Sequence, residues 1–114
     1  MTTAAAIVAG AAGAVARYVV GVAAQRRWPQ RPIGTMLVNV VGAGALGLIV
    51  GADAATLRIV GAGFLGGFTT FSTWMVDTWA LAGTAGRHRA EPALNVLLVL
   101  GGGVAAYALG VTLA

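Results

Sequence analysis

The fold class is decided by residues 8–24, VAGAAGAVARYVVGVAA, in which Arg17 is the only charged side chain. This run belongs to an apolar stretch at about 4–25, and a helix needs roughly 20 apolar residues to cross the hydrocarbon core of a bilayer. A transmembrane strand would instead alternate apolar and polar residues over about 10 positions, which this run does not do. The stretch therefore predicts a transmembrane helix rather than a barrel strand.

Three further apolar stretches follow, and prolines stand at the start of two of them, Pro32 and Pro92. Proline is tolerated at a helix start because the first amide groups have no partner within the helix. We therefore predict an all-α integral membrane protein in which residues 1–114 form one domain. Its four transmembrane helices are expected at about 4–25, 33–52, 57–83 and 92–113. Two pairs of glycines are spaced four residues apart within these spans, Gly47 with Gly51 and Gly63 with Gly67. This spacing predicts close packing of helix backbones at both pairs.

The composition excludes several classes of protein. Hydrophobic residues make up 59% of the chain and charged residues 9%, whereas a soluble domain carries about 25% charged residues. With no cysteine, three acidic residues and a single histidine, His88, no set of catalytic groups or metal ligands can be assembled. We therefore do not predict an enzyme. The net charge of +4 does not indicate a nucleic-acid-binding protein either, because the arginines lie mostly at the ends of apolar runs, as topology signals do.

The arginines predict the orientation in the membrane. The first and third loops share one side of a four-span protein, and they contain Arg26, Arg27, Arg31, Arg87 and Arg89. The opposite side contains only Arg58. Positively charged loops remain in the cytoplasm, so this distribution places loops one and three inside the cell and both termini outside.

Two polar side chains interrupt the first two spans. Arg17 lies about nine residues from the first loop, or roughly 13 Å along the helix axis. It either attracts anions at a pore entrance, fixes an aqueous vestibule, or extends to the membrane interface. Asn39 either links two helices or donates N–H groups to a passing anion, and the residue alone does not decide between these roles. Thr35 lies one turn earlier on the same helix face.

The third span contains residues 66–74, GGFTTFSTW. Paired glycines weaken a helix, and Ser or Thr hydroxyls can bond to the carbonyls that are freed. We expect a break here, because irregular backbone within a membrane is tolerated when it lines a cavity. Phe68, Phe71 and Trp74 are spaced to share one face, where their electropositive edges could meet an anion or simply pack in the core. Asp77, one turn beyond Trp74, lies either near the membrane interface or beside an arginine, and we favour the pair with an arginine.

Three of these patterns resemble the Fluc fluoride channels, also called CrcB proteins. They are GAVARY at 13–18, GTMLVN at 34–39 and residues 66–73. The resemblance implies an antiparallel, dual-topology-type dimer with a break in helix three and two narrow pores at the interface. It further implies passive, fluoride-selective export across the bacterial inner (cell) membrane, which protects the cell from fluoride.

The resemblance also implies roles for individual residues. Backbone carbonyls of Gly66 and Thr69 would hold a structural sodium ion at the dimer centre. Asn39 and Phe71 would contact fluoride, and Arg17 would correspond to the vestibule arginine of the family. The full candidate pathway comprises Arg17, Thr35, Asn39, Phe71, Ser72, Thr73 and Trp74.

Two positions depart from the family pattern. Trp74 stands where a second phenylalanine is usual, and its larger ring could narrow or close one pathway. In the fourth helix, Asn95 and Val99 stand where the family commonly has a tyrosine and then a serine. The polar track of this helix is therefore expected to be degraded.

The partner in the dimer is left open between a second copy and an oppositely oriented paralogous subunit. A homodimer of antiparallel subunits requires a chain that inserts both ways, and the strong arginine bias favours a distinct partner. Two other functions were weighed. A small four-helix proton-coupled multidrug transporter needs an embedded acid, and only Asp77 is available. A non-conducting accessory subunit would not need the polar segment at residues 66–74.

Overall fold

The computed structural model describes residues 1–29, 31–83 and 90–114, and every regular element within these ranges is helical. The elements are α1 (Thr2–Arg27), α2 (Ile33–Ile49), α3 (Ala54–Thr56), a π-helical segment (Leu57–Leu65), α4 (Gly66–Phe68), α5 (Ser72–Gly83) and α6 (Glu91–Leu113). The predicted all-α class is confirmed. Arg87, His88 and Arg89 of the predicted third loop lie outside the described residues.

Three stretches of the described chain are long and apolar enough to cross a membrane, namely Thr2–Arg27, Ala54–Gly83 and Glu91–Leu113. The second helix is apolar but has only 17 residues, because it ends at Ile49 rather than near 52. At 1.5 Å per residue it measures roughly 26 Å, against a hydrocarbon core of about 30 Å. The chain is a multi-pass membrane protein whose second helix is the shortest of the four apolar stretches.

Glycines bring α1 into close contact with the third span. A Cβ atom at Gly63 would lie 2.7 Å from the carbonyl oxygen of Ala6, and one at Gly67 would lie 2.9 Å from the carbonyl carbon of Gly10. A side chain at either position would collide with the backbone of α1, so only glycine lets the two backbones touch. Close backbone contact of this kind gives helices dispersion energy in lipid. The predicted packing role of the Gly63 and Gly67 pair is confirmed.

The second close pair is α2 with α6. A Cβ atom at Gly47 would lie 3.0 Å from the carbonyl carbon of Tyr107, so this glycine also permits backbone contact. Its predicted companion Gly51 is different, because apart from its chain neighbours no described residue has an atom within 4 Å of its Cβ position. The prediction that both members of the Gly47 and Gly51 pair pack against a helix is wrong for Gly51, since α2 ends before it.

Two polar contacts identify the ends of the bundle. Arg31, which precedes α2, lies 3.7 Å from the carboxylate of Glu91 at the start of α6. At the other end, a guanidinium N–H of Arg58 donates to the hydroxyl of Thr2 over 3.1 Å. The start of α6 and the first loop therefore lie at one end, and the start of α1 lies at the opposite end beside the start of the third span.

The third span is irregular. Residues 57–65 form a π-helix, and helical geometry stops after Phe68 and resumes at Ser72. Thr69 is extended, with φ −86° and ψ 161°. Glycine-rich sequence lowers the cost of leaving the α-helix, and the freed backbone groups must then find other partners. These partners define the site described next.

Candidate functional site

The Asn39 side chain pairs with the backbone of the irregular segment. Its Nδ2–H donates to the carbonyl of Thr70 over 2.9 Å, and its Oδ1 accepts the Thr70 N–H over 2.8 Å. Because Thr70 lies outside the helices, its N–H and carbonyl lack α-helical partners, and the Asn39 amide bonds to both groups instead. Asn39 therefore links α2 to the third span, as one of its two predicted roles requires. A primary amide has two N–H groups, and the bond to Thr70 uses one of them.

These bonds release two carbonyls. In a continuous α-helix, the N–H of Thr70 would bond to Gly66 and that of Thr73 to Thr69. The Thr70 N–H instead donates to Asn39 over 2.8 Å, and the Thr73 N–H donates to the Thr70 hydroxyl over 3.2 Å. The carbonyls of Gly66 and Thr69 have thus lost their α-helical donors. They are the two carbonyls to which the resemblance to the Fluc channels assigns a sodium ion.

Thr70 is a residue that the sequence reasoning missed. It is 9% exposed, and its hydroxyl accepts the N–H of Thr73, three positions ahead, so it caps the start of α5. A threonine just before a helix, whose hydroxyl can accept an N–H from three positions ahead, is a recognisable capping signal. That signal was present in the sequence and would have identified the position.

Three candidate residues share a groove between α1 and α2. Arg17, Thr35 and Thr73 line this groove, together with Thr70, and its volume is about 450 Å³. Arg17 is half-buried and so lies at the wall of the groove rather than in open lipid. One guanidinium and four hydroxyl-bearing residues, Tyr18 included, place cationic and polar groups in a groove whose lining is otherwise mostly apolar.

Asp77 has a different partner from the one predicted. Its carboxylate accepts a hydrogen bond from the Thr35 hydroxyl over 2.8 Å, and within residues 1–29, 31–83 and 90–114 it forms no ion pair with an arginine. The expected Asp77–arginine pair is therefore not found in the described chain. Because Thr35 donates its only hydroxyl hydrogen to Asp77, it faces the groove as an acceptor.

A second depression, of about 580 Å³, lies on the other side of the irregular segment. Its lining includes Asn39, Gly66, Thr69, Phe71 and Trp74. The structure thus brings together both candidate sodium-binding residues and three candidate pathway residues. Asn39 and Thr70 form the boundary between this depression and the groove, since Thr70 lines both.

The aromatic residues do not form the single stripe that their spacing indicated. Phe68 stacks on Phe64, with ring centroids 5.9 Å apart. Phe71 is 70% exposed and meets Trp74 edge to face at 5.8 Å and 82°. The three residues fall into two groups because the backbone leaves the helix between Phe68 and Ser72. Ser72 is exposed and lines neither cavity, and its hydroxyl lies 3.5 Å from that of Thr70.

Trp74 is tied to α6 by a ring of hydrogen bonds. Its indole N–H donates to the backbone carbonyl of Asn95 over 3.4 Å, and the Asn95 amide donates to Thr78 over 2.9 Å. Thr78 in turn donates to the carbonyl of Trp74 over 2.8 Å. Asn95 is 3% exposed, and its Oδ1 has no hydrogen-bond partner among the described residues. Val99 lines the same depression as Trp74.

The sequence profile of the CrcB-like protein family (Camphor Resistance, CrcB) matches residues 4–111. The match takes in all four apolar stretches and both cavities. The chain belongs to the CrcB family. The resemblance noted from three short motifs thus extends over almost the whole chain.

Curated relatives are similar over most of their length. Fluoride-specific ion channel FluC 1 of Symbiobacterium thermophilum is 46% identical over 115 aligned positions, covering 93% of this chain and 91% of its own. FluC 1 of Rubrobacter xylanophilus is 44% identical, covering 83% and 80%. FluC 2 of Mycolicibacterium paratuberculosis is 43% identical, covering 86% and 82%.

Proposed function

We propose that this chain is a subunit of a passive, fluoride-selective channel that exports fluoride from the cytoplasm. The observation that carries the proposal is the similarity over more than four-fifths of the chain to relatives named fluoride-specific ion channels. A channel catalyses no covalent chemistry, which agrees with the absence of a catalytic set in the sequence. Neutral HF crosses the bilayer and dissociates inside, and a negative interior then drives the anion outward without an energy source.

The polar groups beside the irregular segment suit a small, strongly hydrated anion. Its water shell must be replaced by donors, and the second N–H of Asn39 and the exposed edge of Phe71 are of that kind. Arg17 would raise the local anion concentration in the groove. In this proposal fluoride passes Arg17, Thr73 and Asn39, with Thr35, Phe71, Ser72 and Trp74 beside the route.

Sodium is proposed as a structural ion at Gly66 and Thr69. Their carbonyls have lost their α-helical donors, and carbonyl oxygens are suitable ligands for a hard cation. When bound, the ion would supply fixed positive charge and join the irregular segments of two subunits. Exchanging sodium for N-methyl-D-glucamine during purification should dissociate the dimer, as measured by light scattering. An unchanged mass would oppose the assignment.

A partner subunit is part of the proposal. Phe71 is 70% exposed beside an open depression of about 580 Å³, so a second chain could complete the site there. The arginine bias favours an oppositely oriented, paralogous partner over a second copy. The proposed location is the cell membrane of a bacterium, and the long apolar helices and the bacterial origin of the relatives support it.

Two other functions have less support. A proton-coupled drug transporter would need a titrating acid in its substrate path, but Asp77 is bound by Thr35 and α1 contains no acid. An accessory subunit would not explain why Asn39 replaces both helical partners of Thr70.

The test is fluoride efflux from liposomes that contain only the purified chain, followed with a fluoride electrode and with chloride as the control anion. Rapid release of fluoride without chloride would establish the channel and show that one chain is sufficient. If no release occurs, the same assay is repeated with a co-reconstituted paralogous subunit, and release of fluoride would then show that the chain needs this partner. Failure of both would overturn the proposal.

A further inference from the structure

The first loop carries an exposed cationic cluster that the proposed anion pathway does not use. Arg26, Arg27, Trp28 and Arg31 form this cluster, called here the arginine rim, and all four side chains are exposed. The only arginine of the opposite end in the sequence is Arg58. A local concentration of exposed guanidinium groups attracts anions, and the surroundings of this end decide which anion is held there.

The length of α1 sets the depth of the rim. The helix has 26 residues, so it measures roughly 39 Å and exceeds the hydrocarbon core of about 30 Å. Its last turn contains Arg26 and Arg27, which therefore lie at the level of the headgroup phosphates. Trp28 follows directly, and tryptophan is enriched at this same interface.

Two of the guanidinium groups have contacts within the described chain, and only that of Arg31 has an acidic partner there. Arg27 lies over the ring of Trp28, with 5.2 Å between the guanidinium carbon and the ring centroid. This stacking fixes the plane and leaves the edge N–H groups free for a phosphate, which arginine binds in a bidentate manner. Arg31 lies 3.7 Å from Glu91, and its side chain is 64% exposed, so its other donors face the surroundings.

We infer that the arginine rim binds the headgroups of anionic phospholipids. The depth of the rim, its positive charge and its donor geometry all suit a lipid phosphate. A soluble anion could bind at any exposed arginine, whereas a lipid headgroup is confined to the membrane depth at which Trp28 and these arginines lie. Each arginine near an anionic surface contributes about five-fold in affinity. This inference does not depend on conduction of fluoride.

The test uses the full chain in a mild non-ionic detergent and measures binding of phosphatidylglycerol and phosphatidylcholine with matched acyl chains by native mass spectrometry. Phosphatidylglycerol should bind more tightly. The double variant Arg26→Gln/Arg27→Gln should lose about 25-fold in that affinity. The matched control Arg58→Gln, at the far end, should change it by less than about two-fold, because screening limits such effects to about 10 Å.

A variant of opposite sign separates binding from misfolding. Glu91→Gln removes the carboxylate beside Arg31 and should strengthen binding of phosphatidylglycerol several-fold, which a merely damaged protein cannot imitate. Arg31→Gln should weaken it about five-fold, even if the double variant fails to fold. Equal binding of the two lipids, or no gain from Glu91→Gln, would overturn the inference. Complete displacement by millimolar glycerol 3-phosphate would likewise indicate a general anion site.

Discussion

The side chain of Asn39 makes two hydrogen bonds to the Thr70 backbone, one to its carbonyl and one to its N–H. These bonds replace the two that Thr70 would form in a continuous α-helix. Asn39→Leu keeps the size of the side chain and removes both bonds. Each unpaired backbone group then costs about 1–3 kcal/mol. We expect fluoride efflux from liposomes to fall to background and the melting temperature to decrease. Thr112→Val, which removes a hydroxyl bonded to its own helix at an exposed position, should change neither. Efflux that survives Asn39→Leu would remove this residue from the pathway.

Trp74 gives a second prediction at the residue scale. Trp74→Phe removes the indole N–H that donates to Asn95 over 3.4 Å, a long bond whose loss should cost no more than about 1 kcal/mol. The smaller ring should widen the depression beside Phe71, so we expect faster fluoride efflux with selectivity over chloride retained. The control is Trp79→Phe, because Trp79 is 81% exposed. A slower rate for Trp74→Phe alone would show that the indole is needed.

At the scale of elements, the contact between α1 and the third span positions the irregular segment. Gly67→Ala would place a Cβ atom 2.9 Å from the Gly10 carbonyl carbon, and backbone cannot move aside as a side chain can. We expect a loss of about 1–3 kcal/mol of stability and reduced efflux, because the segment that includes Thr69 and Thr70 follows directly. Thermal unfolding followed by circular dichroism measures the first effect.

The control for this element is Gly101→Ala in α6. Apart from its chain neighbours and the adjoining backbone of α6, none of the described residues lies within 4 Å of a Cβ atom at Gly101. The substitution should therefore be neutral or stabilising by up to about 1 kcal/mol through helix propensity. Equal effects of Gly67→Ala and Gly101→Ala would contradict the close contact between α1 and the third span.

At the scale of the whole molecule, the distribution of arginines predicts one orientation in the membrane. The chain contains no cysteine, so a single introduced cysteine reports its own location. Ala90→Cys and Ala114→Cys mark the two ends of α6, and both positions are exposed. In intact cells, a membrane-impermeant maleimide should label Ala114→Cys and should spare Ala90→Cys.

Labelling of both variants to similar extents would contradict a fixed orientation. It would mean that the chain inserts both ways, and a homodimer of antiparallel subunits would then be expected. Labelling of Ala114→Cys alone would require an oppositely oriented partner for an antiparallel dimer.

The sequence by itself determined the class of the protein, the helical stretches and the resemblance to the CrcB family. The number of residues in an apolar run is sufficient to predict a membrane span, because the rise per residue of a helix and the thickness of a bilayer are known. The same local reading identified residues 66–74 as unsuited to a regular helix. It also placed Arg17 and Asn39 among the polar residues that need a partner.

Only the tertiary structure decided which partners the polar residues Asn39 and Asp77 find. Asn39 meets Thr70 rather than another side chain, and Asp77 meets Thr35 rather than an arginine. Phe68 separates from Phe71 because the backbone turns out of the helix between them. These outcomes depend on how close in space residues lie that are far apart in the chain. Close backbone packing at glycines sets those distances. Spacing along one helix does not contain that information.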